Sequence, residues 1–590
     1  MRRIIFLFAL SALLRVFAVD PYIGYIYPSG IQAGTTNRFI IGGQNFWKLR
    51  GMYFGSDSLR VIDIKQVPNL PFTPTTQRRH LLKWLDGIAK GDLEEPKKPK
   101  DIPVNEWRSN SWYRAVASLD KLERSILERF LTVPRNPLQA APSLRQMAIV
   151  TIAADADAKI GSYDASIWHS GGISAPRPFF VTDMPRKKEP LYSPPHRPKM
   201  EVEIFDVAEK GVVLDGQIMP GETDAFRLRL NGKSEYRLKV VARELQPYVG
   251  DAVPGFFNPA VVVKDSLGNV VAFGDDTSRF KPDPIFNFVP PFTGEYTIEI
   301  HDLLYRGRAD FVYSIEIAPY VKSEKIAETK EDDILKDGVL CFSGKVSEAE
   351  KKSTCEFTVE KPGKKFLEVF ARRDGSSLDA VLTLRKASSS QTIMQWDDVT
   401  NKVFVGTIPQ VECDPVGEYD FTEAGRYVAE ITDRTGHGGD DYFWKLEVRD
   451  PTPQFEVYST RSTLPISNTK DFKMDFVIVR KDGYNGTVTL EFPKEIAAKN
   501  FVATSGVERI TTQVKYASRK YSELKPIKIF ARGISNGKIL RREVVACDEY
   551  EQAFAWRHLV PAQSFLLRGV FIKPSGDKKS AQNKTKKTKK

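Results

Sequence analysis

Gly294-Glu295-Tyr296-Thr297-Ile298-Glu299-Ile300-His301-Asp302 is answered 131 residues later by Gly425-Arg426-Tyr427-Val428-Ala429-Glu430-Ile431-Thr432-Asp433. The landmarks around both stretches keep the same spacing. Asp283-Pro284 returns as Asp414-Pro415, and Asp310 as Asp441. The closing strand Tyr313-Ser314-Ile315-Glu316-Ile317 returns as Trp444-Lys445-Leu446-Glu447-Val448, and Phe226, far upstream, finds an echo at Phe357. Recurrence of this kind means one β-rich module used twice. It points to a modular extracellular protein rather than to a single enzyme.

Length and composition frame that reading. A chain of 590 residues holds roughly three to five domains at the usual size, and 41% apolar residues suffice for ordinary cores. Arg2-Arg3 precede an apolar run from Ile4 to Leu14, and Val16-Phe17-Ala18 offers a cleavage site after Ala18. This is the layout of a secretory signal peptide over residues 1–18. Arg15 ends the run well short of the ~20 apolar residues a membrane anchor needs, and no other segment is apolar enough to span a bilayer. The expectation is a mature chain that is exported, to the periplasm, the cell surface or beyond, with no transmembrane segment.

The net charge of +12 belongs mostly to the two ends. Arg2, Arg3 and Arg15 lie in the signal segment, and the last thirteen residues hold seven Lys and no acid. The body between them is nearly neutral, so specific nucleic-acid binding is not expected. The Lys-rich tail, residues 574–590, reads as disordered and capable of salt-sensitive attraction to an anionic surface.

Along the chain, Asn37–Ile41, Met52–Gly55 and Leu59–Ile64 read as strands between Gly-rich turns. From Gln77 to Ala89 and from Trp112 to Leu131 the apolar spacing turns helical, and Pro134 closes the second helix. Strand pattern returns at Gln146–Ala153, Ser162–His169 and Phe179–Thr182. The simplest account is a β-sandwich over 19–183 interrupted by a helical hairpin at about 76–132. A Pro-rich linker (184–200) follows, then the two repeated modules (201–320 and 330–450). The last domain (454–573) is again strand-rich. There Phe472–Val479 and Thr487–Phe492 read as a hairpin across Asp482–Gly486, and Ile527–Arg532 and Arg541–Ala546 as strands across Gly533–Gly537. The fold class is therefore mainly β: tandem β-sandwich or jelly-roll domains with one helical insertion.

The residues also resemble known families. Tyr27-Pro28-Ser29-Gly30, Gly34-Thr35-Thr36, Gly43-Gln44-Asn45-Phe46 and Gly172-Ile173-Ser174-Ala175-Pro176-Arg177-Pro178-Phe179 resemble an immunoglobulin-like IPT/TIG domain. The repeated modules, through Asp224-x-Phe226, Gly274-Asp275-Asp276, Asp283-Pro284 and Gly294-Glu295-Tyr296, resemble the bacterial pre-peptidase C-terminal domain. That domain is a β-sandwich appended to secreted proteases and other exported proteins. The last domain resembles the terminal immunoglobulin-like domain of large exported bacterial proteins. These resemblances imply a fold and a location, and no reaction.

For chemistry, the six His form no metal motif, and neither a nucleophile elbow nor a P-loop is present. His301 beside Asp302, and His437 ahead of Asp440-Asp441, are the His–acid neighbours. No catalytic residue is assigned, and the chain reads as a non-enzyme. Asp275, Asp276 and Asp283 in the first module, with Asp397, Asp398 and Asp414 in the second, are candidate calcium ligands, because hard cations take carboxylate and carbonyl oxygens. The alternative is that Asp merely suits turns. Cys341 and Cys355 flank the turn-like Ser347–Lys352 and are a candidate cross-strand disulfide. Cys413 and Cys547 are left open. Phe256 and Phe257, in a loop that the second module shortens, are a candidate contact tip. By the same comparison, Cys355 stands where the first module has Asp224. The function that fits is a non-catalytic exported protein that binds or organises envelope or extracellular polymers, either polysaccharide or protein. The alternative is an accessory, substrate-targeting subunit of a secreted protease or glycosidase.

Overall fold

A computed structural model describes residues 20–67, 81–83, 85–87, 119–132, 144, 146–190, 203–246, 255–276, 283–320, 333–335, 339–389, 391–398, 405, 414–520, 524–551, 557–570 and 572. The expected signal segment, the lysine-rich tail, most of the first expected helix, Cys413 and most of the segment before Asp414 lie outside these residues. The chain is mostly β, 57% strand and 5% helix, and forms two compact units: residues 1–452 with 549–563, and residues 453–548 with 564–590. No described helix is long and apolar enough to cross a membrane.

The first unit opens with two facing sheets. One orders Tyr22–Tyr27, Thr36–Gln44, Gln146–Ala154 and Leu59–Gln66; the other orders Gly30–Gln32, Arg177–Thr182, Gly161–His169 and Gly51–Tyr53. Phe39, Ile41, Val150, Ile152, Ile167 and Phe179 fill the space between them. Gln146–Ala154 is apolar on both faces, which a strand with one wet face would not be. Its second face is covered too. Tyr25, Tyr27, Ile40, Met147 and Ile149 join Val241, Leu245 and Val312 of the first repeated module in a separate core.

The helical insertion contributes Lys121–Thr132. A capping box starts it: the Glu123 amide donates to Asp120 Oδ1 at 2.9 Å, and Glu123 Oε2 accepts from the Asp120 amide at 3.0 Å. The same Glu123 carboxylate receives Arg38 at 2.9 Å and Lys65 at 2.7 Å from the neighbouring sheet. One buried acid thus caps the helix and ties it down.

The two repeated modules share one core strand order and differ at the edges, where the first adds Ile204–Asp206 and where Arg186–Lys188 pairs in parallel but Asp333–Leu335 antiparallel. In the first, a sheet of Arg186–Lys188, Val212–Gln217, Val312–Pro319, Tyr236–Val241 and Ile285–Phe288 faces one of Ile204–Asp206, Asp224–Leu230, Gly294–Asp302, Pro259–Asp265 and Val270–Gly274. In the second, Asp333–Leu335, Val339–Lys345, Phe443–Arg449, Gly363–Phe370 and Val416–Phe421 face Lys352–Val359, Gly425–Asp433, Ala380–Lys386 and Thr392–Trp396. The expected linker therefore starts late, since Arg186–Lys188 pairs in parallel with Val213–Asp215. Arg186 is held there by a buried ion pair to Asp215, Nε to Oδ2 at 2.9 Å, and donates to Ser314 Oγ at 2.9 Å and Ser29 Oγ at 3.2 Å.

The recurring landmarks have physical causes. The hydroxyls of Tyr296 and Tyr427 each donate to a carbonyl four residues upstream, Phe292 at 2.7 Å and Glu423 at 3.1 Å, which pins the corner entering the strand. Asp283 accepts the Ala242 and Arg243 amides at 2.7–3.0 Å, and Asp414 accepts those of Ala371, Arg372 and Arg373 at 2.9–3.2 Å. Each carboxylate satisfies amides that a one-turn 3-10 helix, Arg243–Leu245 or Arg372–Asp374, leaves without carbonyl partners.

The second unit stacks three small sheets around Phe455, Met474, Phe476, Leu490, Val514 and Leu567. Here the expected hairpin is corrected. Phe472–Lys481 pairs with Gln454–Ser459 and Arg509–Tyr516, whereas Val488–Glu491 lies in another sheet beside Phe530–Ser535. The turn between them crosses sheets because Tyr484, 4% exposed, drops onto Phe455 with ring centroids 5.1 Å apart.

Removing a turn-capping carboxylate should therefore cost far more than removing a surface one. Asp414→Ala strands several buried amides, an expected loss on the order of 3 kcal/mol, while exposed Asp441→Ala should be near neutral. Urea unfolding of the two variants decides, and equal midpoints would refute the capping role.

Candidate functional site

The expected calcium ligands separate into two kinds. Asp283 and Asp414 are buried and already spend their oxygens on backbone amides, so they are corrected from ligands to turn caps. Asp275 and Asp276 close the strand Val270–Gly274, the Asp276 amide donating to Asp275 Oδ1 at 2.7 Å. Asp397 and Asp398 repeat that turn at 2.9 Å. What differs is the loop beside it. Asn258 and Asp379 are equivalents: their amides donate, each at 2.9 Å, to Asp302 and Asp433, the matching acids at the ends of Gly294–Asp302 and Gly425–Asp433. The second module thus gains a carboxylate where the first has an amide. Asp379, Asp397 and Asp398 bring one oxygen each within 4.8 Å of one another.

Charge in this cluster is partly compensated, by Arg372 on Asp379 at 3.1 Å and Arg434 on Asp397 at 2.5 Å. Asp398 has no ion pair among the described residues. Burial, then the carboxylates of Asp379 and Asp397, push its pKa up to about 6. Oδ1 of Asp379 and Oδ1 of Asp398 are buried without a hydrogen-bond donor among the described residues. Chemically, the cluster can take up a proton, or a hard cation that completes its shell with water and backbone oxygens.

Two other expectations are overturned. Phe256 and Phe257 are not a contact tip. Both are fully buried against Phe311: Phe256 meets it edge-on with centroids 5.4 Å apart, and Phe257 stacks on it at 5.3 Å. Two adjacent Phe can both go inward because the chain there is loop rather than strand, free of the alternation that would point one out. Cys341 and Cys355 form no disulfide: Val339–Lys345 and Lys352–Val359 belong to opposite sheets, the first facing Phe443–Arg449 and the second Gly425–Asp433. Burial pushes the Cys355 thiol up to about 12, leaving it a packing residue.

Strand register also corrects the comparison of Asp224 with Cys355. Leu228 faces Tyr296 as Phe357 faces Tyr427, so Phe226 matches Cys355 and Asp224 matches Ser353. In the first module the Tyr313 hydroxyl donates to Asp224 at 2.7 Å. In the second, Trp444 takes the tyrosine's place and its buried Nε1 has no acceptor among the described residues. The acid and the tyrosine were exchanged together.

Asp302 beside His301, and Asp433 four residues before His437 with an oxygen 3.8 Å from its Nδ1, are both engaged by backbone amides. Asp302 accepts the amides of Asn258, Leu304 and Arg306, and His301 stacks on Tyr305 instead, 4.6 Å between centroids. Asp433 holds the amides of Asp379, Thr435 and His437 in the same way.

The outward face of the Gly294–Asp302 sheet is a different matter. Cross-strand rows run Arg227–Thr297–Lys264–Val270 and Ala225–Glu299–Val262–Phe273. Arg227 pairs with Glu295 at 2.5 Å and Lys264 with Glu299 at 2.7 Å, around an open polar groove of about 400 Å3. Phe273 is 54% exposed beside it. The second module builds the matching row Glu356–Val428–Arg385–Thr392. Arg385–Glu430 at 2.9 Å repeats Lys264–Glu299, but Glu356–Arg426 at 3.5 Å reverses the sign order of Arg227–Glu295.

Sequence reading also missed a largely apolar cavity of about 290 Å3 between the opening sheet, the helix Lys121–Thr132 and the first module, lined by Tyr25, Tyr27, Ile126, Met147, Met219 and Lys188. Lys188 donates to the Arg38 carbonyl at 3.4 Å, and burial holds its pKa below the usual lysine range. Its signal was hidden because residues 184–200 read as a spacer.

No protein-family description matches the sequence, and no curated protein does. Among solved structures, similarity is found to a protein described as secreted from Eubacterium rectale (8% identity, 40% of this chain and 73% of that one, TM-score 0.14). Two others are the M60 catalytic domain with two CBM51 domains from Clostridium perfringens (10% identity, 50% and 42%, TM-score 0.14) and E. coli alpha-2-macroglobulin (8% identity, 89% and 28%, TM-score 0.11). Scores at this level carry no argument about fold or function.

The acidic cluster yields a signed pH test. A native pKa near 6 against an ordinary 3.8 means the folded chain holds the proton more tightly than the unfolded one. Stability therefore falls as pH rises from about 4 through 6, and the full cost is present at neutral pH. Asp398→Asn should raise stability at pH 7.5 by about 1 kcal/mol after solvent screening, and change little at pH 4. If calcium occupies the cluster, saturating calcium should raise the wild-type melting midpoint and leave the variant unmoved. Equal wild-type midpoints in calcium and in chelator would remove the cation. Separately, Phe256→Ser with Phe257→Ser should cost at least about 4 kcal/mol, as core aromatics do; unchanged melting would contradict their burial.

Proposed function

We propose that this chain is a non-catalytic exported protein that binds an envelope or extracellular polymer, favouring a hydroxyl-rich polysaccharide, through the outward sheet faces of its two repeated modules. The observation that supports this most is the pairing of constancy with change on those faces. The turn-capping acids and corner tyrosines repeat, whereas the outward rows differ in sign order and in side chain. A flat array of guanidinium, ammonium, carboxylate and hydroxyl groups offers donors and acceptors to sugar hydroxyls. Exposed Phe273 adds an apolar platform of the kind a sugar ring covers.

Two such faces on one chain act together on a polymer. Once one is engaged, the second meets its ligand at high effective concentration, so modest single-face affinity becomes useful avidity. The lysine-rich tail adds a long-range, salt-sensitive attraction to anionic material on this reading.

The purified full chain should be retained by envelope fractions and by at least one member of a panel of neutral and acidic polysaccharides in affinity electrophoresis. Replacing Arg227 and Glu299 by Ala, or Glu356 and Glu430 by Ala, should weaken retention about tenfold or more, with little change in melting. Retention by none of the polymers, or retention indifferent to both pairs, would defeat the proposal. Capture on protein-only fractions would move the ligand to protein.

A further inference from the structure

The hairpin of Phe530–Ser535 and Lys538–Glu543 in the second unit ends in a way the rest of the molecule does not require. Its turn is Asn536-Gly537, with φ of 48° and 74°. Both lie in the left-handed region that the tightest two-residue hairpin turn demands and that Asn-Gly best supplies. This fixes the register: Ile534 faces Ile539, Arg532 faces Arg541 and Phe530 faces Glu543. All six residues share one face of the ribbon, because cross-strand partners and alternate positions point the same way.

Read from the tip inward, that face is ordered. Ile534 and Ile539 come first, 62% and 59% exposed. Two residues back, roughly 7 Å along the strand, stand Arg532 and Arg541, while Lys538, beside the turn, pairs with Ser535 on the other face. Acids appear only at the base. Glu491 holds Arg541 at 2.8 Å, and Glu543 holds Lys528 at 2.8 Å. Arg532 and Lys538 have no carboxylate partner among the described residues. The domain core gains nothing from two isoleucines at a rigid, exposed tip, and exposed facing β-branched residues are an aggregation liability.

We propose that this tip is a membrane-contact site: Ile534 and Ile539 enter the headgroup–acyl boundary of an anionic bilayer while Arg532 and Arg541 meet lipid phosphates. The argument is charge and depth complementarity. An anionic leaflet presents apolar chains beneath a negative layer, and interfacial segments bury their apolar face about 5–10 Å into it. The apolar tip and the cationic collar one step behind it follow the same order at the same spacing. Val502, 46% exposed on the neighbouring edge strand, lies on the same face, in line with Thr489 and Arg532. The site rests on the envelope-binding reading only for its location, and lies in a different unit from the polymer-binding faces.

The test is co-sedimentation of the full chain with vesicles of phosphatidylcholine alone and with about one third phosphatidylglycerol, at low and high salt. No polymer is present, so this assay and the polymer survey fail independently. Wild type should prefer the anionic vesicles, and a part of that binding should persist at high salt, where attraction through the lysine tail is screened. Ile534→Ser with Ile539→Ser should abolish the salt-resistant part, and Arg532→Glu with Arg541→Glu should reduce anionic preference about tenfold. Both variants should melt as wild type does, since neither touches the core. Vesicle binding unaltered in the isoleucine variant, or no wild-type preference for anionic vesicles, would overturn the proposal. In the latter case a tip still needed for retention on envelope protein would make it a protein contact.

Discussion

The fold depends on a recurring bargain between buried carboxylates and backbone amides. A sandwich of short strands needs sharp turns, and each turn leaves amides facing the interior. In the first unit Asp283, Asp302, Asp414 and Asp433 accept these amides, several per carboxylate. A buried carboxylate is tolerable only when so surrounded. Once surrounded, it fixes loop and strand together. Glu123 does the same for the inserted helix. This is why acids, rather than apolar positions, are the clearest marks of the 131-residue repeat: many apolar residues can fill a core, but one side-chain type can collect several amides at a turn.

The same constraint decides what could be read before the structure was known. Strand-rich architecture, duplication and the helical insertion were legible because they rest on local periodicity and on spacing. The Asp-Pro and Gly-x-Tyr landmarks were recognisable as scaffold, yet Asp283 and Asp414 were misread as cation ligands, since a carboxylate in a turn looks alike whether it faces an ion or an amide. Cys341 with Cys355, and the strands either side of Asp482–Gly486, were misjudged for one shared reason. Alternation reports that a strand is half-buried; it does not say which sheet the strand joins. In a sandwich, consecutive strands cross between sheets as readily as they pair. Phe256 and Phe257 were misplaced because a loop has no period from which burial can be read.

Strand pairing supplies what spacing could not. Counting from Phe226 to Phe357 aligned the modules by residue type, but the register against Tyr296 and Tyr427 shifts that strand by two. The shift changes the meaning of the difference. Cys355 replaces an aromatic, not an acid, and the Asp224–Tyr313 contact is lost in the second module through a change at both ends, to Ser353 and Trp444. Paired losses of this sort leave no buried charge behind, which is the condition under which a polar contact can be exchanged without unfolding a domain.

The distribution of tolerance across the molecule follows. Inside, a change must be matched by its neighbour, as with tyrosine and acid. On the outward sheet faces it need not be. Arg227–Glu295 and Glu356–Arg426 carry opposite sign order on the same scaffold because exposed pairs contribute little to stability either way. The N-terminal sheet lacks that freedom, since both its faces are covered, one by its own sandwich and one by the first module. Packing of the first module onto that sheet fixes the position of one repeated face relative to the N-terminal domain. That face therefore stands on a support packed from both sides while its own chemistry can vary, the combination that lets the outward rows of a duplicated module change without loss of the fold.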